Sequence, residues 1–139
     1  MRTPSILALA AQRCNHQGMH KVSGIGGFFF RAQNPDALAR WYEDNLGVKQ
    51  VPTTYDEASW MQEAGETVFT AMPEALDQFG APERVWAINF RVPDLDGMVE
   101  QLRAAGTEVT VDPGLYPNGR FASLADPEGN PIQLWEPTA

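Results

Sequence analysis

The stretch SLADPEGNPIQLWEP, Ser123 to Pro137, decides the fold. A short apolar run enters the segment DPEGN (Asp126–Asn130), and a second apolar run leaves it. Proline presets φ, glycine tolerates positive φ, and Asp and Asn side chains bond to nearby backbone, so this segment predicts a tight turn. In the strand that follows, alternation places Ile132 and Leu134 on one face and Gln133 on the other. The pattern therefore predicts a final hairpin whose last strand carries a glutamine opposite its apolar side.

The composition limits the protein class before any fold is considered. A chain of 139 residues is one domain, or two small fused halves, and it can bury a useful core. A formal net charge of −8 argues against nucleic acid and anionic lipid as partners, because both require clustered Lys and Arg. Cys14 is the only cysteine, so we expect no intrachain disulfide and a reducing, cytoplasmic location. No stretch is long enough to span a membrane.

The first half of the chain has the pattern strand–helix–strand–strand–strand. The segment Gly24–Ala32 is rich in aromatics and predicts a strand. Asn34 and Pro35 then predict a helix start, with Asn34 as the N-cap, and Gly47 predicts its end. Three extended segments follow, with a hairpin turn expected between the last two: Val48–Pro52, Ala58–Ala64 and Glu66–Met72.

The second half repeats this order. The segment AINFR predicts a strand, Asp94 predicts the N-cap of a helix, and Gly106 predicts its stop. Met98, Val99 and Leu102 lie on the apolar stripe of that helix. Extended segments recur at three places: Thr107–Val111, Arg120–Ala125 and Pro131–Glu136.

The two halves align in register, because Phe30-Arg31 falls on Phe90-Arg91 and Asn34 falls on Asp94. The sequence therefore predicts an α+β fold of two tandem βαβββ modules that form a curved mixed sheet around an open trough. We expect a single domain at residues 21–137, with modules at about 21–72 and 85–137 and a linker at 73–84. Residues 1–20 are expected to be a poorly ordered N-terminal extension, with Met19 as an alternative start.

Three segments resemble the vicinal oxygen chelate superfamily of glyoxalase I, bleomycin-resistance and fosfomycin-resistance proteins and extradiol dioxygenases: DALARWYEDNLGV, FRVPDLDGMVEQLRAAG and DPEGNPIQLWEP. The resemblance runs from about Lys21 to Pro137 and implies a glyoxalase-like fold with a ligand in the trough. It also implies a homodimer, which the need to cover sheet edges independently favours.

The resemblance bears directly on metal binding. In metal-using relatives the ligands come from the first strand, the equivalent strand of the second module and the last strand. Carried over by register, these positions are Gly27, Ala87 and Gln133. Divalent metals require imidazole, thiolate or carboxylate donors, which this set lacks. The only histidines, His16 and His20, precede the first strand, so we predict no metal and no cofactor.

Seven side chains are expected to line the trough and contact a ligand: Phe29, Arg31, Trp60, Asn89, Arg91, Gln133 and Trp135. Arg31 and Arg91 are related by the repeat, and they either clamp an anionic group or meet solvent. Asn89 and Gln133 either contact the ligand or hydrogen-bond to each other. The aromatic residues either form walls for a flat ligand or belong to the core.

Three functions are compatible with these residues. The first is a metal-independent protein that binds a small, partly hydrophobic or aromatic molecule in the trough. The second is a glyoxalase-like lyase or dioxygenase with relocated catalytic groups, for which Glu136 and Tyr55 are weak candidates, followed by Glu63 and Glu66. The third is a non-catalytic dimeric interaction or regulatory module.

Overall fold

A computed structural model describes residues 19–77 and 79–138. The chain divides into two units, Met1–Phe30 and Arg31–Ala139, and each is described by itself. The first unit, from Met19 on, has no helix or strand, and the rings of Phe28 and Phe30 lie 5.5 Å apart between centroids. The predictions for residues 1–18, including those for Cys14 and His16, lie outside the described residues.

Two helices and four strands make up the second unit. In chain order they are α1 (Pro35–Leu46), β1 (Ile88–Arg91), α2 (Leu95–Ala104), β2 (Thr110–Val111), β3 (Gly119–Ala125) and β4 (Pro131–Pro137). No helix in the described part of the chain is long and apolar enough to cross a membrane.

Helix α1 begins and ends at the residues that the sequence indicates. The Asn34 side chain accepts a hydrogen bond from the amide of Ala37 at 3.2 Å, and Pro35 occupies the first helical position. Gly47 closes the helix with φ of 74°, and its amide donates to the carbonyl of Glu43 at 3.0 Å. Both predicted caps of this helix are confirmed.

Helix α2 has the same kind of start. The Asp94 carboxylate accepts from the amide of Gly97 at 3.0 Å, as expected for an N-cap. The helix ends at Ala104, and Gly106 lies just beyond it with φ of 94°. Val99 and Leu102 are buried, which confirms the predicted apolar stripe.

The strands form one mixed sheet in the order β1–β4–β3–β2. The pair β1–β4 is parallel and the other two pairs are antiparallel. The DPEGN turn joins β3 to β4, with Ala125 paired to Pro131 and Gly129 at φ of 85°. The final hairpin is therefore present as predicted, and the last strand of the chain lies between β1 and β3.

Both helices pack on the same face of this sheet. The buried core unites side chains from the helices and strands, namely Leu38, Tyr42, Leu95, Val99, Leu102, Ala122, Leu124, Ile132 and Leu134. The rings of Tyr42 and Phe90 meet at 6.3 Å between centroids, which places α1 beside β1. The result is an α+β domain with an open four-stranded sheet, which confirms the predicted fold class.

The strands expected in the first repeat are not formed within the described residues. Residues 24–32, 48–52, 58–64 and 66–72 contain no strand, and α1 packs on the sheet of the second repeat. A strand requires a neighbour that supplies N–H and C=O partners, and among residues 19–77 and 79–138 the strands with such neighbours all belong to the second repeat. Several large apolar side chains of this region remain exposed, namely Val51, Tyr55, Met61, Val68 and Phe69.

The DPEGN turn also holds α1 in place through its buried Asp126. The Tyr42 hydroxyl and the Asn130 side-chain amide each donate to Asp126 Oδ2 at 2.7 Å. The backbone amides of Glu128 and Asn130 donate to Asp126 Oδ1 at 2.8 and 3.0 Å. Burial, and then the hydrogen bond to Asp126, raise the pKa of Tyr42 far above its usual value.

A second set of contacts ties the same turn to the start of α1 and to the linker. The Glu128 carboxylate accepts from the backbone amides of Gln33 and Asn34 at 2.7 and 3.0 Å. Arg84 donates to the Asn130 side chain at 2.6 Å and to the Glu128 carbonyl at 2.8 Å. We call Asp126, Glu128 and Asn130 with these partners the turn clasp.

Candidate functional site

The sheet face opposite the helices carries polar and aromatic side chains. Alternation sends Ile132 and Leu134 into the core, so Gln133 and Trp135 lie on the other side, as predicted. The register then sets which residues accompany them. We call this surface the open sheet face, and its strand residues are Asn89, Arg91, Thr110, Phe121, Ser123, Gln133 and Trp135.

The first row across the open sheet face is polar. Asn89 pairs with Gln133, and Gln133 pairs with Ser123. The Asn89 side chain donates from Nδ2 to Gln133 Oε1 at 2.7 Å. Each side-chain amide has two donor hydrogens and two acceptor lone pairs, so this single bond leaves both residues able to bind a further polar group. This row is the amide row.

The second row is aromatic. Trp135 pairs with Phe121, and their rings are nearly parallel, 6.4 Å apart between centroids and inclined by 6°. The indole nitrogen of Trp135 donates to the Asn118 carbonyl at 2.7 Å, which fixes the ring orientation. Gly119 has φ of 132°, and a Cβ there would lie 2.9 Å from that nitrogen, so the close approach requires glycine. This row is the aromatic row.

A cation and an anion stand at opposite ends of the aromatic row. At the β1 end, Arg91 pairs with Trp135, and its Nη2 donates to the Glu63 carbonyl at 3.2 Å. At the β2 end, the amide of Asp112 donates to the Phe121 carbonyl at 3.0 Å. The row therefore runs from a guanidinium, across two rings, to a carboxylate.

Tyr116 extends the aromatic row at the Asp112 end. Its ring lies 5.9 Å from that of Phe121, and its hydroxyl is 3.1 and 3.0 Å from the two carboxylate oxygens of Asp112. The hydrogen bond to Asp112, together with the negative charge of that carboxylate, raises the pKa of Tyr116. Asp112 also accepts from the amide of Gly114 at 2.9 Å, so its carboxylate is held by its own turn.

Four of the seven predicted contact residues come together on this face, namely Asn89, Arg91, Gln133 and Trp135. Arg31 and Trp60 are exposed and outside any strand, because the first-repeat segments have no ladder partner. Phe29 is exposed and belongs to the first unit. Gly27 and Ala87, the positions aligned with metal ligands of relatives, also lie outside the strands.

The two candidate catalytic residues have different surroundings. Glu136 Oε1 accepts from the backbone amide of Leu95 at 2.7 Å, so this carboxylate caps the start of α2. Its strand neighbour Arg120 forms an ion pair with Asp96 at 3.0 Å. Tyr55 is fully exposed and outside any strand. Neither candidate lies among the polar or aromatic residues of the open sheet face.

Sequence reasoning missed the residues that complete the aromatic row, namely Asp112, Tyr116 and Phe121. Alternation within Arg120–Ala125 separates Phe121 and Ser123 from the buried Ala122 and Leu124, and this signal was available. The position of Phe121 opposite Trp135, and of Ser123 opposite Gln133, depends on the hairpin register, which the DPEGN turn sets.

Two shallow depressions lie elsewhere, along the C-terminal half of α2. Their volumes are about 480 and 530 Å³, and Arg103 borders both. Neither contains Asn89, Gln133 or Trp135. The Arg103 guanidinium already donates to the Val109 carbonyl at 2.8 Å, which accounts for its position there.

The open mixed sheet with two helices on one face defines an α+β protein with a glyoxalase-like fold. Its polar and aromatic opposite face makes it a candidate ligand-binding domain of that class. The chain belongs to the glyoxalase/bleomycin resistance protein/dioxygenase superfamily, whose family model matches residues 24–134. A search of curated proteins finds no significant match.

Solved structures provide the fold comparison. TnmS3, an antibiotic binding protein from Streptomyces sp. CB03234, is 20% identical with a TM-score of 0.58, over 86% of this chain and 100% of that chain. A glyoxalase/bleomycin resistance protein from the same organism is 35% identical with a TM-score of 0.32, over 35% of this chain and 42% of that chain. This match thus spans less than half of that protein. The fosfomycin resistance protein FosX from Listeria monocytogenes is 20% identical with a TM-score of 0.36, over 48% of this chain and 54% of that chain.

The residues present do not fit the metal site that relatives suggest. Gly27 and Ala87 have no donor side chains, and the third position is the neutral Gln133, already bonded to Asn89. Among residues 19–77 and 79–138, no group of three or more His, Cys, Asp or Glu side chains is arranged to hold a metal ion.

Proposed function

We propose that the protein binds a small, flat, partly hydrophobic or aromatic molecule on the open sheet face, without the family metal. The observation that carries this proposal is the amide row beside the aromatic row. Asn89 and Gln133 form a hydrogen-bonded pair, and the parallel rings of Phe121 and Trp135 lie next to it on the same strands.

The two rows suit different parts of such a ligand. A further ring placed against the half-buried Phe121 gains about 0.5–1.5 kcal/mol beyond the area it buries, and the buried Trp135 supports Phe121 from behind. The unused donor and acceptor positions of Asn89 and Gln133 can bond a carbonyl or hydroxyl at the edge of the ligand. Few polar groups beside apolar walls are the usual composition of a small-molecule site.

One comparison suggests the kind of role that such a site could serve. TnmS3, whose fold this chain shares, is described as an antibiotic binding protein. We propose a similar role here, in which a small molecule is sequestered rather than transformed. The likeness to TnmS3 supports the fold, and the ligand class rests on the side chains of the open sheet face.

The placement of Glu136 and Tyr55 gives no support to the lyase or dioxygenase alternative that depends on them. Catalysis by a general acid or base requires a titratable group within hydrogen-bonding reach of the substrate. Glu136 is engaged with the Leu95 amide, and Tyr55 is outside the sheet.

The test is a titration of the purified protein with planar aromatic compounds, including unsubstituted anthracene and anthraquinone. Binding is measured by the quenching of tryptophan fluorescence. We expect saturable quenching at one site per chain, and Phe121→Ala should weaken binding about tenfold, the equivalent of 1.4 kcal/mol. Gln101→Leu, on the solvent-exposed side of α2, is the control. No saturable binding by the wild type, or equal affinity in Phe121→Ala, would contradict the proposal.

We also propose that the protein forms a homodimer in a cytoplasmic setting. Strand β1 has a single ladder partner, β4, so one edge of the sheet is open among the described residues. The exposed apolar side chains at residues 51–69 lie in segments with strand-like sequences, and a second copy supplies equivalent segments. Light scattering should give twice the chain mass for the wild type. The variant Phe69→Glu should be a monomer, whereas the control Glu74→Gln should remain a dimer. A monomeric wild type at micromolar concentration would contradict the proposal.

A further inference from the structure

We propose that the ligand is a flat aromatic molecule with an acidic group at one end and a protonated amine at the other. This inference rests on the proposed function, because it assigns a ligand class to the same face. It follows from the order of residues along the aromatic row, which is Arg91, Trp135, Phe121 and Asp112.

The spacing of the two charges sets the length of the ligand. Arg91 pairs with Trp135, Trp135 pairs with Phe121, and Asp112 bonds to Phe121, so the four residues occupy neighbouring strands or their direct continuation. Neighbouring strands lie about 4.8 Å apart, so the two backbones are separated by about 14 Å. A ligand that reaches both charged groups must therefore span about three strand spacings, as an extended fused-ring system does.

Arg91 is suited to the acidic group. A guanidinium has five N–H donors in a fixed planar arrangement that matches a carboxylate with two parallel hydrogen bonds. The contact with the Glu63 carbonyl uses one of its terminal nitrogens. The side chain also lies against the backbone of Gly65, where a Cβ would collide with it, so glycine is needed for the guanidinium to be placed there.

Asp112 and Tyr116 are suited to the amine. The carboxylate is anchored by the Gly114 amide and the Tyr116 hydroxyl, which orient it without neutralising its charge. The rings of Tyr116 and Phe121 lie beside it, and an ammonium within about 6 Å of an aromatic face is attracted to the ring. The net charge of −8 also favours the approach of a cationic group over an anionic one.

Both charges together give the ligand class its specificity. A purely anionic aromatic compound meets Arg91 but places no cation at Asp112, and a purely cationic compound does the reverse. A molecule with both groups satisfies both ends while its rings lie against Phe121, which is half-buried, beside the buried Trp135. Partial exposure of the site keeps each charge contact modest, at about 0.2–1 kcal/mol, so the preference arises from their combination.

The experiment compares four probes by tryptophan fluorescence: anthracene, an anthracenecarboxylate, an aminomethylanthracene, and the same ring carrying both groups at opposite ends. With the wild type we expect the doubly substituted probe to bind about two- to fivefold more tightly than either singly substituted probe, as one additional contact of about 0.5–1 kcal/mol predicts. Arg91→Gln should abolish the gain from the carboxylate alone. Asp112→Asn, which keeps an acceptor for Gly114 and Tyr116, should abolish the gain from the amine alone.

A measurement on the wild type keeps the inference testable if a variant fails to fold. Raising the ionic strength should weaken binding of the charged probes and leave that of anthracene unchanged. Equal affinity for all four probes, or salt-independent binding of the charged ones, would overturn the inference while leaving the proposed function intact. Failure of every probe to bind, anthracene included, would instead overturn the proposed function.

Discussion

Asn89 Nδ2 donates to Gln133 Oε1 at 2.7 Å, between residues that face each other directly on the parallel strands β1 and β4. The glutamine of the last strand is therefore held by a neighbour in the sheet and oriented for further polar contacts. The resemblance to the vicinal oxygen chelate superfamily implies a carboxylate at this position in relatives that bind metal. Here the pair of neutral amides gives the face hydrogen-bonding capacity without the donors that a metal requires.

The first prediction concerns this position. Gln133→Glu restores the family carboxylate, yet we expect no stoichiometric binding of Zn²⁺, Ni²⁺ or Mn²⁺, because Gly27 and Ala87 still lack donor atoms. Calorimetric titration of the variant and the wild type side by side measures this. One tightly held ion per chain in either protein would show that other residues complete a metal site.

The second prediction concerns the turn clasp. Tyr42→Phe removes a buried hydrogen bond to a carboxylate, and we expect a loss of about 1.5–3 kcal/mol in the free energy of unfolding. Urea denaturation measures it, with Tyr55→Phe as the exposed control. A loss in Tyr42→Phe no larger than in the control would show that the clasp contributes little.

The raised pKa of Tyr42 gives this contribution a pH dependence. The folded state holds the phenolic proton more tightly than the unfolded state, whose tyrosines titrate near pH 10. The stability is therefore fully present below about pH 10 and is lost as the pH rises above it. Alkaline unfolding monitored by tyrosinate absorbance should be less steep in Tyr42→Phe than in the wild type.

The third prediction separates a structural from a catalytic Glu136. Glu136→Ala removes the carboxylate that caps the Leu95 amide, and a loss of about 0.5–2 kcal/mol is expected, as for other helix N-terminal caps. Binding of aromatic probes should not change at temperatures where the protein is folded. Glu100→Ala, at an exposed position of α2, is the control for stability. A loss of affinity with unchanged stability would assign Glu136 to the ligand site instead.

The fourth prediction uses the ion pair between Arg120 and Asp96. The hydrogen bond from Arg120, followed by its charge, lowers the pKa of Asp96 below the ordinary value. The pair thus contributes stability above about pH 4, and this contribution is lost as the pH falls through the lowered pKa. Asp96→Asn should be slightly less stable than the wild type at neutral pH and equal to it in strong acid. Urea unfolding midpoints of both proteins, measured from neutral pH to strong acid, test whether their stabilities converge. A difference that stays constant with pH would show that the ion pair between Arg120 and Asp96 is not its cause.

The local features of the fold were predictable because their causes are local. Asn34, Gly47 and Asp94 cap helices through bonds to residues three or four positions away, and such bonds follow from the residue type. The DPEGN turn and the inward direction of Ile132 and Leu134 follow equally from short-range geometry.

The rest depended on partners far along the chain. The segments 48–52, 58–64 and 66–72 have strand-like sequences, but no ladder partner forms beside them in the described residues, so the expected strands are absent. Arg31 and Trp60 were expected on strand faces, and both lie outside any strand in the described part of the chain. Asp112 and Tyr116 entered the site through a turn whose position depends on β3, which sequence spacing alone does not locate.

The turn clasp has a consequence for how the polypeptide is made. The Tyr42 hydroxyl meets Asp126 across 84 residues, and the amide of Gln33 meets Glu128 across 95. A ribosome therefore releases α1 long before its anchor exists, and β4, an inner strand of the sheet, is synthesised after the other described strands. Until then, the apolar side of that early helix has no permanent cover. Nascent chains stalled before β4 should consequently recruit chaperones at this helix until β4 joins the sheet.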